Sequence, residues 1–530
     1  LSTSDRIVSS ESAKPPYPQA LNSRVVHSTA LVALLLAMDK LAGIMREAVV
    51  GHAFGAAAAL DAYYAAFELP EGLNTIVAGP ALTSVLVPLI VGLMARDDHD
   101  DLWRFISVTL HWILIVLVMI SAVGIVLARP IIVTVAPGFA DQPAQIELSV
   151  RLMRLVLLQT LLFSIGTVVT GAMEAHQHFL VPALSPLCYT LGRIFGAAIL
   201  ARPYGIFGLA WGGLIGAVVQ LLIRIPWLVR RRARWTFTLF HPDLPNLVRL
   251  MAPRMLGMSV SYVTLVLPTT FGSQLPGGSI AAYEYASKLI QFPKSVLGTA
   301  LGITILPALA ALVQRGDLPE LRRTFSWTLR LVLVLTIPAA VGVWLLGRPL
   351  TALVLQRGAF DAAATDRVYW ALQFLALGLV AHCALEVLPP LFYAQRDMWT
   401  PFWIAAAGLA MNILLGQALL STLAHGAIAL SNSAGACLQV VFLLLVAHRR
   451  LGGIEGRQLG ASLLRTGIAS ALMGGALVAF RWALPDTGRL VSVGGGLAVG
   501  VLVYGAAACL LNIREIRELP ALWSRRREPV

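Results

Sequence analysis

Residues 283–307 read YEYASKLIQFPKSVLGTALGITILP, and the way this stretch is read decides the fold. It is long and apolar enough to belong to a membrane-spanning helix, which needs about 20 mainly apolar residues. Yet it carries Glu284, Lys288 and Lys294. A charge at mid-bilayer costs on the order of 2.5–3.5 kcal/mol, so charges kept there face a cavity or a partner. The stretch therefore predicts a helix in the wall of a polar cavity inside a multi-span membrane protein.

Working outward, the whole chain has the same character. Of its 530 residues 58% are hydrophobic and 13% charged, and the mean hydropathy is +0.78, outside the range of soluble domains. Apolar runs of spanning length recur from about residue 27 to about 512, about fourteen in all. An even number puts both termini on one side.

Lys and Arg say which side. With the N-terminus inside, Arg96, Arg104, the run Arg230, Arg231, Arg232 and Arg234, then Arg322, Arg323, Arg449, Arg450 and the tail from Arg514 all become cytoplasmic. Loops 51–60, 273–279 and 421–426 on the other side are almost uncharged. The net charge of +13 is thus a topology signal and not a nucleic-acid surface. Cys188, Cys383, Cys437 and Cys509 all fall inside apolar runs, with no metal-type spacing. No cofactor or metal is expected.

Two parts of the chain resemble each other at an offset of about 219 residues. ARPIIVTVAPGFAD (128–141) aligns with GRPLTALVLQRGAFD (347–361), HFLVPALSP (178–186) with MWTPFWIAA (398–406), and Leu86-Val87-Pro88 with Ile305-Leu306-Pro307. The fold class expected is an all-α polytopic membrane protein of about 14 transmembrane helices, with two pseudo-symmetric six-helix lobes plus two C-terminal helices. The boundaries drawn are a disordered cytoplasmic leader (1–26), an N-lobe (27–229), a basic cytoplasmic linker (230–246), a C-lobe (247–448), helices 13 and 14 (449–512) and a basic cytoplasmic tail (513–530). Repeats of this kind place a substrate cavity at their interface and rock about it for alternating access.

The charges within the spans point to the cargo. Lys40 and Arg46 lie in the first span, Asp61, Glu68 and Glu71 in the second, and Glu284, Lys288 and Lys294 in the eighth. Glu284 and Lys288 stand at i,i+4, the spacing of a helical ion pair. A cationic set without catalytic or metal groups suits a polyanion such as pyrophosphate, held by Arg as a fork and Lys as a point charge. His382 and Glu386, also at i,i+4, lack further ligands nearby.

The stretches LAGIMREAVVGHAFGAAAALDAYYAAFELP (41–70), YASKLIQFPKSVLGTALGITILPALA (285–310) and YAQRDMWTP (393–401) resemble the MurJ/MviN family of lipid II flippases, within the multidrug/oligosaccharidyl-lipid/polysaccharide exporter superfamily. The resemblance runs through essentially the whole chain. It implies fourteen helices, a central cationic cavity, and movement of undecaprenyl-pyrophosphate-linked peptidoglycan precursor across the bacterial inner membrane. It marks Lys40, Arg46, Asp61 and Lys288 as substrate-binding cavity residues, with Glu284, Asn74, Thr75 and Gln291 in support.

There are departures from the family pattern. Asn74 and Thr75 stand where the family has an arginine pair, and Gln291 where it often has an acid. Span seven has no acidic residue and span eleven offers Asn412 alone, so membrane potential or protons acting at Asp61 are expected to drive transport rather than sodium. Alternative cargoes are an exopolysaccharide unit or another polyprenyl-linked oligosaccharide. A multidrug exporter fits a cationic cavity poorly, and the short, uncharged outer loops argue against a membrane-embedded glycosyltransferase or polymerase. A monomer in contact with membrane lipids is expected, with no nucleic-acid partner.

Overall fold

The computed structural model describes residues 23–96, 98–484 and 488–517; the expected leader and tail lie almost wholly outside the described residues. The long helices are α1 (Ser23–Phe54), α2 (Ala58–Met94), α3 (His99–Val126), α4 (Pro143–Ala175), α5 (Leu180–Tyr204), α6 (Ile206–Arg230), α7 (Leu244–Gly272), α8 (Ser279–Arg315), α9 (Leu318–Leu355), α10 (Ala362–Ala394), α11 (Trp399–Leu423), α12 (His425–Leu451), α13 (Gly456–Ala483) and α14 (Arg489–Leu510). Twelve of them, α2 to α6 and α8 to α14, are long and apolar enough to cross a membrane. Helices α1 and α7 do not meet that measure among the described residues, so it counts twelve spans where about fourteen are expected from the sequence. Every regular element among the described residues is helical.

The repeat seen in sequence returns in the backbone. Helices α3 and α9, α4 and α10, α5 and α11, and α6 and α12 each start 219 residues apart. Asp98 and Asp317, at the same spacing, both cap a helix: Asp98 accepts from the N–H of Asp100 and Asp101, Asp317 from that of Glu320. Gly205 and Ala424 open α6 and α12 at φ 56° and 50°. A residue with a Cβ is strained in that region by about 1–3 kcal/mol, so at Ala424 the tight connection between α11 and α12 overrides the local preference.

Helices α2 and α8, both 37 residues long, are interrupted alike by a π-helical turn, Asn74–Ala78 in one and Ser295–Thr299 in the other. Pro70 and Pro293 lie just before these turns; each lacks an N–H and breaks the regular ladder.

Within the first half α4 packs on α2, and α5 on α1 and α6; within the second, α10 packs on α9 and α12, and α12 on α11. Helices α13 and α14 pack on each other and on α9. The glycines of α6 permit a close approach to α5, since a Cβ on Gly212 would lie 2.5 Å from the carbonyl oxygen of Gly192.

The halves meet at the end that carries loops 51–60 and 273–279. Gly138 N–H donates to Ser273 Oγ at 3.1 Å and Ala359 N–H to His52 O at 2.9 Å. A Cβ on Gly138 would sit 2.1 Å from the carbonyl oxygen of Ser273, so this seam closes backbone against backbone.

Candidate substrate cavity

Beneath that closed end a cavity of about 250 Å³ opens between α1 and α8, with Thr190 of α5 and Leu355 of α9 completing its wall. The sequence placed four of its candidates here: Lys40, Arg46, Lys288 and Gln291 all line it. They converge because α1 and α8 each carry their polar residues on one face, and that face is the one left without a helical neighbour.

The cations are not bare. Arg46 Nη2 lies 2.6 Å from Glu47 Oε1, and its Nε 3.0 Å from the same oxygen. Lys288 Nζ lies 3.4 Å from Glu284 Oε2, the i,i+4 pair expected. Among the described residues Lys40 has no ion-pair partner. Asp39 accepts from Thr190 Oγ1 at 3.0 Å, and Gln291 donates to Ser295 Oγ at 3.3 Å. An arriving polyanion therefore meets Lys40 directly and must displace carboxylates from Arg46 and Lys288. Charge-assisted hydrogen bonds of this kind are exchanged, not newly created, which limits the net gain.

Asp61, Asn74 and Thr75 do not line this cavity. Asp61 is 2% exposed and spends both oxygens on backbone, taking the N–H of Gly278 at 2.5 Å and of Ala281 at 2.7 Å. It ties α2 to the first turn of α8, where unpaired helix N–H groups favour an anion. Asn74 and Thr75 open the π-helical turn of α2, half-buried. Lys294, also in the eighth span, pairs with Glu386 of α10 at 3.2 Å.

Two charged residues carry more than the sequence assigned them. Glu68, in the second span, accepts from Thr269 Oγ1 of α7 at 2.5 Å and from Tyr262 Oη at 3.2 Å, and joins the halves at mid-depth. Arg193 of α5 sits over the rings of Tyr63, Phe67 and Tyr189 with its Cζ 5.6–5.9 Å from their centroids, a cation–π cage. The signal available was a lone arginine inside an apolar span. Asn412 is held by Ser431 Oγ at 2.8 Å.

Two matching helical halves, sealed at one end above a charged cavity, define a membrane transporter of the alternating-access kind. Comparison with known proteins makes this particular. A family profile described as "Lipid II flippase MurJ" matches residues 50–520. The "Lipid II flippase MurJ" of Burkholderia cenocepacia is 30% identical over 430 residues, covering 78% of this chain and 82% of that protein. The "Probable lipid II flippase MurJ" of Rhizobium tropici is 30% identical over 460 residues, 84% of this chain and 85% of its own. Among solved structures, "Lipid II flippase MurJ, inward closed conformation" superposes with TM-score 0.78 at 20% identity, covering 91% of this chain and 98% of that one. An inward-facing multidrug resistance MATE family transporter superposes with TM-score 0.66 at 14% identity, covering 81% of this chain and 99% of that one. The chain belongs to the MurJ family of lipid II flippases.

Proposed function

We propose that the protein moves lipid II, the undecaprenyl-pyrophosphate-linked peptidoglycan precursor, from the cytoplasmic to the outer leaflet of the bacterial inner membrane by alternating access. The observation that carries this reading is the placement of Arg46 and Lys288 on the facing walls of one cavity between α1 and α8, in a chain of this family. In this account Lys40, Arg46 and Lys288 receive the pyrophosphate, and Gln291 and Glu284 sit beside it.

Residues 27–229 and 247–448 form the two lobes, 230–246 the linker, and 449–512 the two additional helices. Both termini are cytoplasmic, from the side on which arginine collects. The sealed end then faces outward and the cavity belongs to an inward state. At about 250 Å³ the cavity lies below the range of roughly 300–1,000 Å³ typical of drug-sized ligands, so a glycosylated headgroup enters only when the lobes part. In this reading protons or membrane potential act on the gate through Asp61 at the seal.

The test is rescue of growth in a bacterium depleted of its lipid II flippase, with expression verified. Rescue by wild type and failure of Lys288→Ala supports the reading. Failure of well-expressed wild type, or full rescue by Lys288→Ala, contradicts it.

A further inference from the structure

A second cavity, of about 670 Å³, lies between the C-terminal end of α9, the end of α13 and the start of α14. It shares no lining residue with the cavity between α1 and α8. Three arginines line it: Arg348, Arg481 and Arg489. This end of the molecule lies opposite the arginine runs at 230–234 and 449–450, so the cluster is not part of the topology signal.

The arginines differ in what holds them. Arg348 forms a two-pronged pair with Asp366, at 2.6 Å and 3.3 Å. Arg481 donates to the carbonyl oxygen of Leu345 at 3.0 Å, and Arg489 to that of Gln356 at 3.0 Å. The Leu345 carbonyl has no intrahelical donor because Pro349, four residues on, lacks an N–H, and Gln356 is the residue that closes the C-terminal end of α9. Among the described residues no carboxylate pairs with Arg481 or Arg489; Asp486 lies outside the described residues. A guanidinium has five donors, so each keeps several for a ligand. The rim is apolar: Trp482 is 85% exposed and Leu484 45% exposed, as suits side chains at a membrane–water boundary.

We propose that this cavity binds the phosphate group of an anionic membrane lipid, with Arg481 and Arg489 on the phosphate oxygens and Trp482 and Leu484 against the upper acyl chains. A planar fork matches a phosphodiester, and the apolar rim selects a lipid over a free anion. In the orientation proposed above the site serves the outer leaflet; the binding itself does not depend on that orientation or on the cargo.

The experiment uses the full chain in phosphatidylcholine nanodiscs, with a trace of either phosphatidylglycerol or phosphatidylcholine carrying the same photoactivatable group. Adducts are mapped by mass spectrometry to residues 345–362 and 478–492. Labelling there should favour phosphatidylglycerol by about tenfold or more. It should fall to the phosphatidylcholine level in the Arg481→Gln/Arg489→Gln double variant, and stay unchanged in Lys288→Ala. Gln keeps an N–H for the α9 carbonyls. If the double variant nevertheless unfolds, Arg481→Lys/Arg489→Lys must retain a preference for phosphatidylglycerol. Equal labelling by the two lipids in wild type, or wild-type labelling in the double Gln variant, overturns the proposal. So does loss of labelling on adding millimolar inorganic phosphate, which would assign the arginines to a soluble anion.

Discussion

Asp61 of α2 accepts the backbone N–H of Gly278 at 2.5 Å, a bond that spans 217 positions in sequence and closes one half of the molecule against the other. Gly278 has φ 91°, and a Cβ there would lie 2.1 Å from the carbonyl oxygen of Ala56. Carboxylate and glycine are thus two parts of one seal.

Breaking the seal should shift the conformational balance before it unfolds the protein. Asp61→Asn leaves one acceptor for two amides, and an unsatisfied buried N–H costs about 1–3 kcal/mol. Spin labels on loops 51–60 and 273–279 should report a growing separated population in Asp61→Asn. Gly278→Ala, where both φ and space are wrong, should separate the loops further and abolish rescue. Distance distributions unchanged from wild type in both variants would refute the role.

The two sides of the Lys288–Glu284 pair should respond unequally. Lys288 is half-exposed to the cavity, so its removal deletes a cation and hardly touches the core. Glu284→Gln gives up an i,i+4 pair worth about 0.3–0.5 kcal/mol and releases Lys288 for the polyanion. Growth rescue should be lost in Lys288→Ala, retained in Lys288→Arg, and retained in Glu284→Gln with little change in thermal stability.

The ends of α13 and α14 are anchored by an ionic cluster. Arg330 of α9 lies 3.1 Å from Glu455 and 2.9 Å from Glu515, and donates to Gln458 at 2.5 Å. Arg330 and Glu515 are both buried, and removing one partner of a buried pair costs about 3–5 kcal/mol because the other is left uncompensated. Arg330→Ala should lower the melting temperature and raise hydrogen exchange in α13 and α14 above that in α4. Uniform exchange across the chain would show that the cluster is not a local anchor.

At the turn before α11, Asp397 accepts from the hydroxyl and backbone N–H of Thr400, and from Arg450 at 2.5 Å. These bonds, the Thr400 hydroxyl first, lower its pKa from 3.8 to about 2. A carboxylate with a depressed folded-state pKa contributes stability that is present above its unfolded pKa and lost as pH falls through the folded one. Thermal stability of the wild type should therefore drop between about pH 4 and about pH 2 more steeply than that of Asp397→Asn. Parallel curves would remove Asp397 from the account.

Much of this architecture was legible in the residues. The bilayer reduces secondary structure to spans of apolar helix, so composition alone gave the class of fold. The 219-residue offset read from three short matches returns as four pairs of helix starts and a pair of aspartate caps, because cap chemistry and span length are local properties. Lys288 and Glu284 were readable as a pair because a helix sets the distance between i and i+4.

Other features lay beyond sequence reading. The amides that occupy Asp61, the Thr269 and Tyr262 contacts of Glu68, the rings that cage Arg193 and the Glu386 partner of Lys294 sit on other helices, from 92 to more than 200 residues away except for Tyr189. An apolar span discloses that a charge needs a partner but not which helix supplies it. By itself the sequence determined the membrane class, the repeat, the family resemblance and which charges must be sheltered. The tertiary structure alone decided which charges face the cavity, which close the seam, and which stand in a separate arginine-lined cavity, because helix rotation and docking are set by packing across the whole bundle.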